Sequence, residues 1–322
     1  MQYNNFIVEV VMIENICKKI RENVQKVVVG KDEVINLAFI GVLCEGHILL
    51  EDVPGIGKTT LARALAASLG CTFRRIQFTP DLLPSDVTGI YWFNQKLQEF
   101  ELRPGPIMTQ IILADEINRA TPRTQSSLLE AMQEQQVTID GITHLLPRPF
   151  IVFATQNPIE LEGTFPLPEA QIDRFLLRIQ FGYPTQAEEN SILERFRSTS
   201  QLSELQPVTT PLEIIEMQNE RRNIKVEDSV RDYIVRIARA TRNHNEIQLG
   251  ASPRATMALY HSVQAWAAIQ GRAFVLPDDI KYIAPHVLTH RLIVSPQAQL
   301  RGRLPSQLVS DIVDSISVPV EN

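Results

Sequence analysis

Apolar residues in the first part of the chain fall three or four positions apart: Ile13, Ile16, Cys17, Ile20, Val24 and Val27. That spacing marks one buried face of a helix, which the pattern ends near Val28-Val29-Gly30. A second apolar helix is expected from Asp32 to Cys44. Short strand-length runs then alternate with helical ones: His47 to Glu51, Thr72 to Phe78, Gln110 to Asp115, Phe150 to Thr155 and Phe175 to Phe181. The alternation predicts an α/β fold with a parallel sheet covered by helices on both faces. Two stretches break it, Tyr91 to Glu101 and Val137 to Leu145, and both read as hairpins inserted into the core, the second turning at Asp140-Gly141. From Tyr183-Pro184-Thr185 onward helices dominate. They are expected at Val230 to Thr241, at Ala255 to Ile269 and from Pro277, where proline suits a first turn. One late strand is expected at Leu292-Ile293-Val294, and the polar stretch Ser198 to Pro211 reads as a connector. The predicted division is an α/β core over 1–184 and a helical domain over 185–322.

Composition narrows the partners more than the fold. A chain of 322 residues has room for two domains, and 44% hydrophobic with 21% charged residues is ordinary for a soluble globular protein. The formal net charge of -6 offers DNA or RNA no overall attraction, so nucleic acid is not the expected partner. Cys17, Cys44 and Cys71 are too scattered for a CxxC pair or a disulfide framework. They read as small buried apolar residues in a reducing, cytoplasmic protein. Glu9 and Glu14 stand where a secretory leader would be basic, and no apolar run approaches the roughly 18 residues of a membrane span.

The candidate chemistry sits at the ends of the predicted strands. Glu51-Asp52-Val53-Pro54-Gly55-Ile56-Gly57-Lys58-Thr59-Thr60 lies between an apolar strand and a helix. This is the order of a phosphate loop, whose backbone N–H groups and helix N-terminus hold an anion. Lys58 is placed to reach the β/γ-phosphates and the Thr59 hydroxyl to hold magnesium. Asp52 departs from the pattern, which has glycine at that position; aspartate tolerates left-handed backbone, so the loop is still expected to close. Ile111-Ile112-Leu113-Ala114-Asp115-Glu116 has the form of a buried strand delivering acids at its C-terminal end. Asp115 is read as a magnesium ligand, directly or through water, and Glu116 as the group polarising the attacking water. Asn157, after Ile151 to Gln156, fits either a donor to the γ-phosphate or lytic water, or a turn-forming residue before Pro158. Arg174, just before the fifth strand, reads locally as a surface ion-pair partner.

These segments, in this order, resemble the AAA+ ATPases and within them the MoxR family. The resemblance rests on Val28-Val29-Gly30, the phosphate loop, Gln77 to Asp86, Ala114 to Ala120, Gln125 to Glu134, Ala154 to Pro158 and Leu167 to Phe175. In the second domain Gly250 to Ala255 and Pro277 to Ile280 also match. The implied fold is an AAA+ P-loop NTPase, a five-stranded parallel αβα core with a smaller α-helical lid domain. The implied cofactors are ATP and Mg2+. Val29 and Gly30 would hold adenine through their backbone, so Lys31, where relatives often carry glutamine, is expected to matter little. Asp52 is a common family variant. Asn157 becomes the sensor-1 amide, Arg254 the sensor-2 arginine of the lid, and Arg174 an arginine finger serving the neighbouring subunit. Arg119 and Arg123 fit either a role in trans or ordinary pairing.

The resemblance further implies a homo-oligomer, a hexameric ring, acting as a chaperone-like remodeller of client complexes alongside a protein with a von Willebrand factor A domain. Both hairpins would face the pore, with Tyr91, Trp92 and Phe93 either touching the client or packing the hairpin against the ring. A nucleic-acid motor is the main rival, since related AAA+ helicases carry similar hairpins. The insert Asn94 to Glu101 has more acids than bases, the reverse of what phosphate contacts need. A slowly hydrolysing nucleotide switch is a third reading.

Overall fold

The computed structural model describes residues 2–53, 55–157, 163–195 and 201–319. Helices α1 (Gln2–Gln25) and α2 (Asp32–Leu43) precede β1 (Ile48–Glu51), and α3 (Lys58–Ser68) connects it to β2 (Phe73–Gln77). A short α4 (Pro84–Thr88) leads into the hairpin of β3 (Gly89–Asn94) and β4 (Glu99–Pro104). Next come β5 (Ile111–Asp115), α5 (Pro122–Glu134), the hairpin of β6 (Gln136–Ile139) and β7 (Ile142–Leu145), and β8 (Ile151–Gln156). The one-turn α6 (Glu169–Ile172) and β9 (Leu177–Ile179) complete this part. The remainder holds α7 (Gln186–Arg195), α8 (Pro211–Arg221), α9 (Asp228–Asn243), β10 (Ile247–Leu249), α10 (Pro253–Ile269), α11 (Pro277–Leu288), β11 (Ile293–Val294), α12 (Pro296–Leu300) and α13 (Pro305–Ser315).

The five core strands form one sheet in the order β2-β5-β8-β1-β9, every neighbouring pair parallel. Alternation along each strand sends successive side chains to opposite faces. Ile48, Leu50, Ile111, Leu113, Ile151 and Phe153 enter a core shared with α1, α2, α3 and the later helices. Leu49, Ile112, Ala114, Val152 and Ala154 enter a second core closed by α5 and parts of both hairpins. The larger core runs without a break into α9, α10, α11 and α13, so the helical part packs directly on one face of the sheet assembly.

Local chemistry explains the element ends. Asp140 (φ 48) and Gly141 (φ 82) both take the positive φ that a tight two-residue hairpin turn requires. Proline opens α8, α10, α11, α12 and α13, where its missing N–H costs nothing, and Ser252 and Ser295 cap α10 and α12 by accepting from Ala255 N (3.1 Å) and Ala298 N (3.4 Å). The expected strand at Leu292 to Val294 is β11, paired antiparallel with β10. Three residues, Ile247 to Leu249, were too few to register as a strand in the sequence pattern. The expected connector Ser198 to Pro211 is described from residue 201. It is tied down where Val208 N donates to Ser68 O (2.8 Å) and Asn23 Nδ2 to Gln206 O (3.0 Å). Of the cysteines Cys17 is buried and Cys44 and Cys71 are half-buried. Burial pushes the Cys17 and Cys44 thiols up to about 11 and Cys71 up to about 12, which keeps them un-ionised at neutral pH.

His47 joins the layers. Its Nε2–H donates to Met132 O of α5 (2.9 Å), and Nδ1 accepts from Val152 N of β8 (3.1 Å). Protonation would set a second N–H against the Val152 N–H, and burial already lowers the ring's pKa to about 4 from 6.5. The unfolded chain therefore takes up a proton that the folded one refuses. The contribution is complete above pH 6.5 and lost as pH falls toward 4, on the order of 3 kcal/mol in all. Denaturant unfolding across this window should lose stability with acid, and His47→Asn should flatten part of the slope.

Candidate active site

The C-terminal ends of β1, β5 and β8 meet over a cleft of ≈ 360 Å3, within the usual range of small-molecule sites. One wall is Gly55, Gly57, Lys58, Thr59 and Thr60; the other is Arg75, Asp115, Glu116, Thr155 and Asn157. Gly55 (φ 84) and Gly57 (φ 99) hold conformations that L side chains rarely adopt, and a Cβ on either would meet nothing within 4 Å. Their need is conformational, and the space beside them stays open to an anion. Gly57 is the N-cap of α3, so the first N–H groups of that helix, from Lys58 on, lack helical partners and point to the cleft mouth. Lys58 Nζ donates to Asp52 O (2.7 Å). Burial lowers its pKa, opposed by Asp52, Asp115 and Glu116.

Asp52 does not close the loop by a left-handed backbone. Its φ is not positive, and the carboxylate does the work instead. Oδ1 accepts from Val53 N (2.8 Å) and Oδ2 from Gly182 N (2.7 Å), which ties the loop to the chain leaving β9. A glycine at position 52 would have no such reach. Ile56 packs on the main core, and Pro54 lies outside the described residues.

Asp115 and Glu116 are held by groups that strand patterning did not single out. Thr155 Oγ1 donates to Asp115 Oδ1 (2.6 Å) and accepts from Glu116 N (2.7 Å). Arg75 on β2 donates to Asp115 Oδ2 through Nε (3.0 Å) and Nη2 (2.6 Å), and Nη2 also reaches Gln77 Oε1 (2.7 Å). Gln77 Nε2 and Arg119 Nη1 donate to Glu116 Oε2 (2.9 and 3.1 Å). Glu116 has φ 56, an unfavourable left-handed conformation for a non-glycine residue at a site boundary. The only sequence signals were a threonine ending an apolar strand and the polar Arg75 and Gln77 alternating on β2. Arg119 thus pairs within its own chain, whereas Arg123 is exposed.

The donor set suits Mg2+. Among the described residues no group of three or more His, Cys, Asp or Glu could cage a metal. Mg2+ instead favours one or two carboxylates with water and phosphate oxygens, and Asp115 Oδ2 already accepts a cation, the Arg75 guanidinium, at 2.6 Å.

The remaining predicted residues are spread outside the cleft wall. Gly30 (φ 65) abuts the Glu188 carboxylate of α7, while Lys31 Nζ donates to Phe181 O (2.9 Å). Val29 and Gly30 therefore lie beside the segment that leaves β9. Lys31 pins that segment, so its side chain carries more than expected from backbone recognition alone. Arg254, in the first turn of α10, stands 3.8 Å from Asp173 and does not line the cleft. Arg174 follows α6 with a buried Nε that has no hydrogen-bond partner among the described residues. On the β3–β4 hairpin Tyr91 packs against the second core and meets His144 Nε2 (3.3 Å), while Trp92 and Phe93 are exposed.

Comparison with known proteins agrees with this architecture. Residues 47–177 match the family described as "ATPase family associated with various cellular activities (AAA)", and residues 239–312 the AAA lid domain. A Bacillus subtilis protein named YeaC and described as uncharacterized is 50% identical over 300 residues, covering 93% of this chain and 94% of its own. The chaperone MoxR1 of Mycobacterium tuberculosis is 39% identical over 308 residues, 93% of this chain and 81% of its own. A crystal structure from Cytophaga hutchinsonii, described as a candidate ATPase, superposes with TM-score 0.92 at 38% identity, covering 99% of this chain and 100% of that one. With an AAA core, an AAA lid and near full-length likeness to MoxR1, the chain belongs to the MoxR family of AAA+ ATPases.

Proposed function

We propose that this protein binds and hydrolyses ATP in a Mg2+-dependent reaction within a hexameric ring, and that it uses the reaction for chaperone-like remodelling of client complexes. The observation that carries the reading is the meeting of Lys58, Thr59, Asp115, Glu116 and Asn157 on one cleft at the ends of parallel strands. In this reading Lys58 and the first N–H groups of α3 hold the β- and γ-phosphates, and Thr59 and Asp115 hold Mg2+, which supplies charge neutralisation at the phosphate oxygens. Glu116 turns from Gln77 and Arg119 to accept a hydrogen bond from the attacking water. Asn157 orients that water or a γ-phosphate oxygen. Arg254 reaches the phosphates from the lid, Arg174 reaches those of the neighbouring subunit, and Val29 and Gly30 border adenine. The core is taken as 1–184 and the lid as 185–322.

The client-facing role rests on the family and on MoxR1 being named a chaperone. It is supported by exposed Trp92, Phe93 and Phe100 on a hairpin that needs none of them for its core contacts. Tyr91 is left to packing. A partner with a von Willebrand factor A domain belongs to the same proposal and rests on the family alone. Among the described residues no helix is long and apolar enough to cross a membrane.

Glu116→Gln keeps size and hydrogen bonding but cannot take a proton. ATP binding should stay within a few-fold while hydrolysis falls by about 10²-fold or more; unchanged turnover would remove Glu116 from the role. Arg75→Ala frees Asp115 Oδ2 from its guanidinium. The Mg2+ concentration that half-saturates nucleotide binding, read by titration calorimetry, should drop several-fold.

A further inference from the structure

The segment carrying Arg174 is clamped from beneath by a buried arginine. The Arg291 side chain is 2% exposed and uses all five of its N–H donors. Nε donates to Asp173 Oδ1 (2.8 Å), Nη1 to Leu176 O (3.1 Å) and Val287 O, and Nη2 to Asp173 O (3.3 Å) and Phe175 O (2.5 Å). A guanidinium so buried is stable only with a counter-charge in place, and Asp173 supplies it. Arg291 thereby fixes the backbone on both sides of Arg174, whose own N–H donates to Gln171 O (3.2 Å).

The same carboxylate is held from the lid. Ser252 Oγ donates to Asp173 Oδ2 (2.9 Å) while capping α10, and Arg254, two residues on, places Nη1 3.8 Å from Oδ2. Arg254 is half-exposed, so this last pair is the weak member of the cluster and the one easily exchanged for a phosphate. One carboxylate thus joins the residue expected to contact the chain's own nucleotide to the residue expected to contact the neighbour's.

We propose that Asp173 is a positioning residue that couples the lid's engagement of its own nucleotide to the presentation of Arg174 to the adjacent subunit. The proposal rests on the reading of Arg254 and Arg174 given above. When Arg254 leaves Asp173 for a phosphate, the carboxylate loses a cation and the α10 cap that Ser252 provides shifts against the clamped segment, so the finger reports whether its own subunit is loaded.

Mixed rings test this. Glu116→Gln subunits bind ATP and donate a finger but hardly hydrolyse; Arg174→Ala subunits hydrolyse only with a donated finger. Mixing the two should restore ATPase activity. Asp173→Asn in the donor should then lower the restored kcat about tenfold or more without changing KM, because a misplaced group near the reacting atoms loses that much. The same change in the acceptor, which has no finger to place, should leave kcat and lower KM, since Arg254 is freed for the phosphates. Ser252→Ala, which removes the bond to Asp173 together with the α10 cap but keeps the Arg291 clamp, should repeat the donor pattern more weakly and carries the test if Asp173→Asn subunits do not assemble. Equal loss of kcat from either position, or full rescue by Asp173→Asn and Ser252→Ala donors, would overturn the proposal. No rescue by the unmodified pair in proven mixed rings would bring down the finger reading itself, and the coupling with it.

Discussion

Asp115 ends a strand whose four preceding residues are fully buried, and its carboxylate has to be satisfied at the rim of an apolar sheet. Thr155 from β8 and Arg75 from β2 do so from either side, one to each oxygen, and both depend on the parallel register that puts these strands beside β5. The geometry of Glu116 follows, because Thr155 also takes its backbone N–H and Gln77, two residues after Arg75, holds its carboxylate. A slip of one residue in either pairing would turn these side chains to the wrong face. Sheet register and site chemistry are therefore one constraint.

The phosphate loop obeys a related rule on the other side of the cleft. Gly55 and Gly57 supply the backbone conformation, but the loop's anchorage comes from Asp52 through Gly182, and Lys31 holds the same departing segment at Phe181. A residue that looks like a defect in the motif acts as a strap between the loop and the chain leaving β9. Opposite charges on Asp52 and Lys31 converge on one short stretch of main chain, so movement there would be felt at the loop.

The lid is joined to the core in two different ways. Apolar packing of α10 and α11 against α1, α2 and β9 is continuous and non-directional, and it fixes the lid's general place. The Asp173 cluster is polar and directional, and it sits where α10 begins, beside the segment before β9. Burial lowers Arg291 to about 10, with Asp173 opposing the fall, so the guanidinium stays charged at neutral pH and keeps its demand for a partner. Exchangeable contacts at such a joint can transmit a change that a greasy interface would absorb.

Much of this protein was legible from sequence. The five strands follow from apolar runs of the right length. The hairpin turn follows from Asp140-Gly141, and the phosphate loop and the acids at the end of β5 follow from residues adjacent in the chain. All are local signals, carried by period and neighbour. Arg75, Gln77 and Thr155 left only a polar alternation and a strand-ending threonine, and nothing local marked the roles of Asp173 and Arg291, because each acts on a residue brought near only by strand order or helix packing. Asp52 was visible as an oddity but not as a strap, since its partner Gly182 is far away in sequence and beside it in space. Sequence alone determined which groups of the cleft could meet a nucleotide; the tertiary structure decided what holds those groups, because hydrogen bonds and ion pairs are satisfied by proximity in space, which periodicity does not encode.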